Sequence, residues 1–225
     1  MFVVLDWVDG SWKATQTQLT IENLKNNWYK ADNISFPSYW HETATFVEKF
    51  LNKEFWDPET IDPLISSSFY ILDRFWQKQK LLEKINQNDY LISDRYSTAN
   101  FIHRGTKYLQ NNDIEWLEFF FDRLEEFEFQ RAKLPKPDII IFLSLGIENI
   151  QNLIKEKVNQ NRNYIKNGEL DEAEKNIQHQ KLSLEIWKNY LPKYFDNFYI
   201  VECEDKQWNI LSKEEINSKI LNLIT

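Results

Sequence analysis

Glycine is nearly missing from this chain: 4 residues in 225, beside 9 tryptophans, where average usage would supply about 16 glycines. A chain this poor in glycine cannot build its tight turns in the ordinary way, so some other residue stands at them. Cysteine is scarcer still. The single Cys203 excludes an internal disulfide and a thiolate metal cluster, and the expectation is a reducing, cytoplasmic setting. Long apolar runs are also absent: Ile139 to Leu143 is the longest, far below the ~20 residues that a membrane-spanning helix needs. The start, apolar over Met1 to Leu5, has no basic leader and soon meets Asp6 and Asp9, so a soluble, untargeted protein is expected. Basic residues are in deficit, 27 Lys and Arg against 35 Asp and Glu, for a net charge of −8. Proteins that wrap nucleic-acid backbone gather cations into a footprint, so polymeric nucleic acid is not an expected partner. A small nucleotide remains compatible.

What is present has the size of one α/β domain spanning residues 1–225. Short apolar runs at 2–5, 33–36, 90–93, 138–143 and 198–201 read as strands. Between them, helical periodicity covers 13–26, 42–52, 58–85, 96–110, 114–131, 147–157, 171–194 and 213–223. Strands alternating with helices predict a parallel sheet with crossover helices. No linker or repeat marks a boundary, and the polar stretch 159–170 reads as an excursion of the kind from which lids are built.

The first strand runs into Asp6-Trp7-Val8-Asp9-Gly10-Ser11-Trp12-Lys13-Ala14-Thr15, directly before a helix. A phosphate-binding loop needs glycine at its start and again just before the lysine that reaches the outer phosphates. Those two positions carry Trp7 and Trp12, while Gly10, Ser11 and Lys13 fall where such a loop wants them. An indole at position 12 would fill the phosphate site. Trp28, Trp40, Trp56 and Trp208 also stand where turn chemistry favours glycine, so six of the nine tryptophans occupy glycine-like places. These positions suggest UGA codons that mean glycine in the source organism and were read as tryptophan. Trp76, Trp116 and Trp187 lie inside helices and read equally well as genuine tryptophans.

With glycine at those positions the loop resembles that of the thymidylate kinases. The resemblance continues through Phe36-Pro37-Ser38-Tyr39, Phe69-Tyr70-Ile71-Leu72-Asp73-Arg74, Asp94-Arg95-Tyr96 with Asn100 following, and Leu134-Pro135-Lys136-Pro137-Asp138. Five ordered motifs thus cover residues 2 to 202. The resemblance implies a P-loop NTPase fold, a five-stranded parallel sheet flanked by helices on both faces with a small lid at about 155–174. It implies phosphorylation of dTMP to dTDP by ATP in deoxynucleotide (dTTP) biosynthesis, with Mg2+ as cofactor and a homodimer as the assembly.

Roles follow residue by residue from the same likeness. ATP would lie on Trp7, Gly10, Ser11, Trp12, Lys13, Ala14 and Thr15, the helix N-terminus helping to hold phosphate. Asp9, Lys13, Arg95 and Arg162 would be catalytic, Asp9 holding the acceptor 3′-hydroxyl and Arg162 completing charge neutralisation from the lid. The acceptor would meet Phe36, Pro37, Tyr39, Tyr70, Arg74, Arg95, Tyr96, Asn100 and His103, Tyr70 stacking on the base, Arg74 reaching a carbonyl and Asn100 its edge. Asp94 and Thr15 would serve the metal, since Ala14 stands where many such loops have a hydroxyl ligand. Leu134 to Asp138 is expected to be structural. Two alternatives stay open: a kinase for another nucleoside monophosphate, or a catalytically impaired pseudokinase scaffold if Trp7 and Trp12 are genuine. For the dimer, the face carrying Phe119, Phe120, Phe121 and Phe127 is the candidate, equally readable as core.

Overall fold

Continuous apolar runs become strands buried on both faces. In the computed structural model, which describes residues 1–7, 13–39, 41–54, 58, 60–146, 148–149 and 177–225, with Lys13 and Ile177 by backbone alone, every residue of β1 (Phe2–Trp7) is buried. β3 (Tyr90–Asp94) and β4 (Ile139–Ser144) flank it, and the shorter β2 (Ala31–Ser35) and β5 (Phe198–Glu202) form the edges. The order is β2-β3-β1-β4-β5, and all four pairings are parallel. The five strands lie within two residues of the positions that apolar runs predicted.

Eight α-helices are described: α1 (Lys13–Asn26), α2 (Thr45–Leu51), α3 (Pro63–Trp76), α4 (Lys78–Gln87), α5 (Thr98–Gln110), α6 (Ile114–Glu125), α7 (Ile177–Asn189) and α8 (Lys213–Ile224). α1 packs on α8, while α5 packs on α6 and α7. Gly105 permits the α5–α6 approach, because a Cβ there would stand 2.8 Å from the Phe121 ring. Trp187 of α7 is fully buried and stacks on Phe142 of β4, ring centroids 4.1 Å apart, which pins that helix to the sheet.

Three helix expectations need correction. The periodic stretch 58–85 is two helices. The first begins at Pro63 because the Asp62 side chain accepts the Leu64 and Ile65 amides. The chain turns at Gln77, a buried residue whose Nε2 donates to Thr43 Oγ1, a tertiary contact with no breaker residue to announce it. The stretch 114–131 ends in a π-helical turn at Glu126–Arg131, which places Glu128 in the interior. The helix at 171–194 is described from Ile177 and passes into a 3-10 turn at Leu191–Lys193. The expected lid at 155–174 and most of the helix at 147–157 lie outside the described residues.

Two tryptophans sit in backbone that suits glycine. Trp28 has φ 68° and is 95 % exposed. Its N–H donates to Lys25 O while that of Tyr29 donates to Leu24 O, the paired bonds with which helices end on a left-handed residue. Trp208, φ 66° and 74 % exposed, donates its N–H to Asp205 O in a turn that the Asp205 carboxylate also braces. Trp7 differs, being buried in β1. Trp76 and Trp116 are exposed on helices, and Trp12, Trp40 and Trp56 lie outside the described residues.

Left-handed backbone costs a residue with a Cβ about 1 kcal/mol, and neither exposed indole recovers that by burial. Trp28→Gly and Trp208→Gly are each expected to raise unfolding free energy by about 1 kcal/mol in urea titration. Destabilisation by either change would show that the indole holds its turn.

Candidate active site

In a parallel sheet, ligands meet the C-terminal ends of the strands, where backbone groups and helix N-termini point outward. β1 ends at Trp7 and α1 begins at Lys13. The first turn of α1 itself carries no acidic residue. Ala14 and Thr15 are exposed there. Asp9, Gly10, Ser11 and Trp12, and the side chain of Lys13, lie outside the described residues, as does Arg162. Beside this end, Asp6 is fully buried and accepts from Thr98 Oγ1 at 2.5 Å and from the Trp7 amide at 2.8 Å. That bond fastens β1 to the start of α5.

The end of β3 is strained where chemistry is expected. Arg95 has φ 63°, a conformation that side chains with a Cβ rarely adopt and that costs about 1–3 kcal/mol. Its amide donates to Leu5 O at 3.1 Å and its carbonyl accepts from Ser93 Oγ at 2.5 Å. Both bonds hold the turn against the strain and aim the side chain into a cleft. Asp94, one residue earlier, lies in register with Leu5 and Ser35 and is partly exposed.

The cleft gathers the expected acceptor residues. Phe36, Pro37 and Tyr39 enter after β2, Tyr70 and Arg74 from α3, and Arg95, Tyr96, Asn100 and His103 from the β3–α5 junction. The Phe36–Pro37 peptide is cis. Fully buried Asp73 anchors this wall, accepting from the Ser38 amide at 2.8 Å and Thr43 Oγ1 at 2.6 Å. Tyr96 is buried and donates to Pro135 O at 3.0 Å. Burial pushes its phenol well above the usual tyrosine range, helped by the Glu128 carboxylate, so it remains a donor. Pro135 accepts that bond and Asp138 Oδ2 accepts the Phe2 amide at 2.6 Å, contacts in keeping with a structural motif.

Arg74 is placed differently from a solvated surface arginine. It is buried, with Nε 3.0 Å from Glu128 Oε2 and Nη2 2.5 Å from Glu128 Oε1. Glu128 is fully buried, and burial pushes its carboxyl up while the Arg74 guanidinium and the Asn100 amide pull it back down. Asn100 donates through Nδ2 to the same Oε1 at 3.1 Å and to Ser67 O at 3.3 Å. His103 meets His179 of α7, ring nitrogens 3.2 Å apart, and His179 in turn meets Thr106 Oγ1 at 3.0 Å.

Sequence reading missed several contributors. Arg104 donates to Tyr70 Oη at 2.9 Å and its guanidinium lies 4.9 Å from the Phe50 ring centroid. Lys107, also in the cleft wall, donates to Ile61 O. Both follow Asn100 at helical spacing, four and seven residues on, which was a usable signal. Lys53, Glu128 and His179 gave none, since each arrives from a distant segment. With Lys53, Arg74, Arg95, Arg104 and Lys107 in its lining, the cleft collects five cations, of which Arg74 is neutralised by Glu128 behind it, and no carboxylate stands among its described lining residues. In a chain of net charge −8 such a cleft suits an anion carrying a flat ring that can lie against Tyr70 and Phe36.

No three metal-ligating side chains converge among the described residues. Asp94 at the end of β3 and Thr15 in the first turn of α1 are oxygen donors of the hard kind that Mg2+ takes, one or two at a time alongside water and substrate phosphates. Among the described residues, no helix is long and apolar enough to cross a membrane.

The family model for thymidylate kinase matches residues 5–206. The thymidylate kinase of Homo sapiens is 26 % identical over 145 residues, covering 64 % of this chain and 61 % of that protein. That of Schizosaccharomyces pombe is 27 % identical over 143 residues, covering 64 % and 60 %. The matched part therefore spans about six-tenths of the length of these relatives. The solved thymidylate kinase of Candida albicans overlays with a TM-score of 0.67 at 19 % identity, covering 99 % of this chain and 90 % of that one. This last likeness is one of fold.

The strain at Arg95 separates stability from function. Arg95→Gly relieves the left-handed backbone, so its unfolding free energy should equal or exceed that of the parent by up to about 1 kcal/mol, while affinity for a phosphate-bearing ligand falls at least about tenfold. A loss of stability beyond about 1 kcal/mol, with ligand affinity intact, would make the side chain structural.

Proposed function

We propose that this chain, which belongs to the thymidylate kinase family, transfers the γ-phosphoryl group of ATP to dTMP, giving ADP and dTDP for dTTP synthesis. The single observation that carries the proposal is the cleft of five cations, stacking aromatics and a buried amide, set against the strained Arg95 turn. A phosphate oxygen of dTMP attacks the γ-phosphorus in line, and the bond to the β–γ bridging oxygen breaks, its electrons leaving with ADP. Catalysis then consists of aligning two anions and neutralising the charge that spreads over the transferred group.

In this reading ATP sits on the segment from Trp7 to Thr15, with Lys13 at its outer phosphates and the start of α1 behind them. Arg95 bridges the two phosphates, Asp9 holds the acceptor sugar and orients Arg95, and Arg162 completes the charge complement. Asp94, Thr15 and water would hold Mg2+, which when bound would supply charge neutralisation at the ATP phosphates. Tyr70, Arg74, Asn100 and His103 take the base and sugar, beside Phe36, Pro37, Tyr39 and Tyr96. The working protein is a single cytoplasmic domain with glycine at positions 7 and 12, by the recoding that the left-handed Trp28 and Trp208 support.

The test is ATP turnover with dTMP by the tryptophan-bearing chain and by its Trp7→Gly/Trp12→Gly form, together with the codons at both positions. UGA codons are expected, with turnover at least about 100-fold faster in the glycine form, since close backbone approach to phosphate cannot coexist with an indole. UGG codons with no dTMP turnover in either form would contradict it.

The reading includes a homodimer. Of the four candidate phenylalanines, Phe120 and Phe121 are core, whereas Phe119 and Phe127 are exposed. Leu72, Phe75 and Trp76 on α3 and Trp116 on α6 add exposed apolar surface, and the two helices touch. Light scattering is expected to give twice the chain mass; a monomer mass at micromolar concentration would reject the dimer.

A further inference from the structure

Glu128 is fully buried on the π-helical turn at Glu126–Arg131, 28 residues from Asn100 and 54 from Arg74, and it binds both. Its Oε2 takes Arg74 Nε. Its Oε1 takes both Arg74 Nη2 and Asn100 Nδ2. The second bond of Asn100 Nδ2 goes to Ser67 O. An amide nitrogen has two hydrogens, and both partners here are pure acceptors, so the NH2 group must lie on their side. The carbonyl of Asn100 is then the group left for a ligand in the cleft that Asn100 lines.

This orientation has a chemical consequence, which rests on reading the cleft as a pyrimidine nucleotide site. Thymine and uracil carry a hydrogen on N3, which an amide carbonyl can accept. Cytosine presents a bare N3 lone pair, which would face the Asn100 oxygen acceptor to acceptor. If the amide could turn over, its NH2 would suit cytosine as well. We propose that Glu128 is a positioning residue that sets this selectivity. By tying up the amide hydrogens of Asn100 it presents Oδ1 to the base, favouring pyrimidines with an N3–H and rejecting cytosine. It also holds the Arg74 guanidinium, so the base edge meets one donor and one acceptor fixed by one carboxylate.

Glu128→Gln keeps the shape and replaces one carboxylate oxygen by NH2. That group meets a donor of Arg74 in either orientation of the new amide, and at the Oε1 position it meets the Asn100 NH2 as well, which then turns its oxygen inward. The measurement is calorimetric binding of dTMP, dUMP, dCMP and ATP to the full chain and to the variant. The parent is expected to bind dTMP and dUMP and to discriminate against dCMP. In Glu128→Gln the ratio of dCMP to dTMP dissociation constants should fall at least about tenfold, dUMP moving with dTMP, while ATP affinity stays within about twofold. A merely structural role would weaken all pyrimidine monophosphates together and leave the ratio unchanged, which would overturn the proposal. Should Glu128→Gln fail to fold, Glu128→Asp keeps a charge opposite Arg74 and withdraws the oxygen from Asn100, and the same fall in ratio is expected; an unchanged ratio there is equally fatal. A parent that binds no dTMP would overturn the kinase reading itself, whereas a selective parent with an equally selective variant sinks only the role of Glu128.

Discussion

The buried ion pair between Arg74 and Glu128 is the constraint on which the cleft depends. Two charges removed from water cost several kcal/mol each in desolvation, and only close pairing with further hydrogen bonds returns it. Here the pairing is bidentate, and Asn100 and the Tyr96 carbonyl occupy remaining sites. Three segments far apart in sequence, α3, α5 and the π-helical turn, are thereby locked in one relative position. Removing either partner would leave a lone charge in the interior, a loss of about 3–5 kcal/mol. An apolar pair could fill the same volume, but it could not orient an amide or present a guanidinium edge.

The sheet supplies the other half of the frame. Parallel pairing of β1 with β3 and β4 brings the end of β1 beside the Arg95 turn, and Asp6 bonded to Thr98 fixes α5 to that junction. Strain at Arg95 persists because the Leu5 carbonyl and the Ser93 hydroxyl hold both sides of the residue. The side chains of α5 then fall along one stripe, Asn100, His103, Arg104 and Lys107, facing α3 and its Tyr70. Cations placed this way in an acidic chain create a local field that its net charge conceals.

Strand positions were legible because buried parallel strands are written as unbroken apolar runs, such as Ile139 to Leu143. The start of α1 was legible because the chain passes from strand to loop to a good helix former at Lys13. Helix breaks were not: Gln77 is an ordinary helix residue, and only its contact with Thr43 turns the chain. The site divides along the same line. Residues clustered in one motif, such as Asp94 to Asn100, could be read directly, and the structure brings Arg95, Tyr96 and Asn100 of that motif together with Phe36 and Tyr70 in one cleft. Glu128 could not, since nothing in Glu126-Phe127-Glu128 distinguishes an interior carboxylate from a solvated one until the π-helical turn rotates it inward. The glycine deficit led to Trp28 and Trp208, and both stand on left-handed backbone, as do Lys53, Arg95, Asn112 and Lys133.

A pyrimidine monophosphate is proposed to occupy the space between α3 and α5. Amide hydrogen exchange of the full chain with and without saturating dTMP tests it most directly. Slowed exchange is expected in Pro63–Trp76 and Thr98–Gln110, with no change in Lys213–Ile224, which packs on α1 and β5 and does not line the cleft. Protection confined to other segments, or none at all, would contradict it.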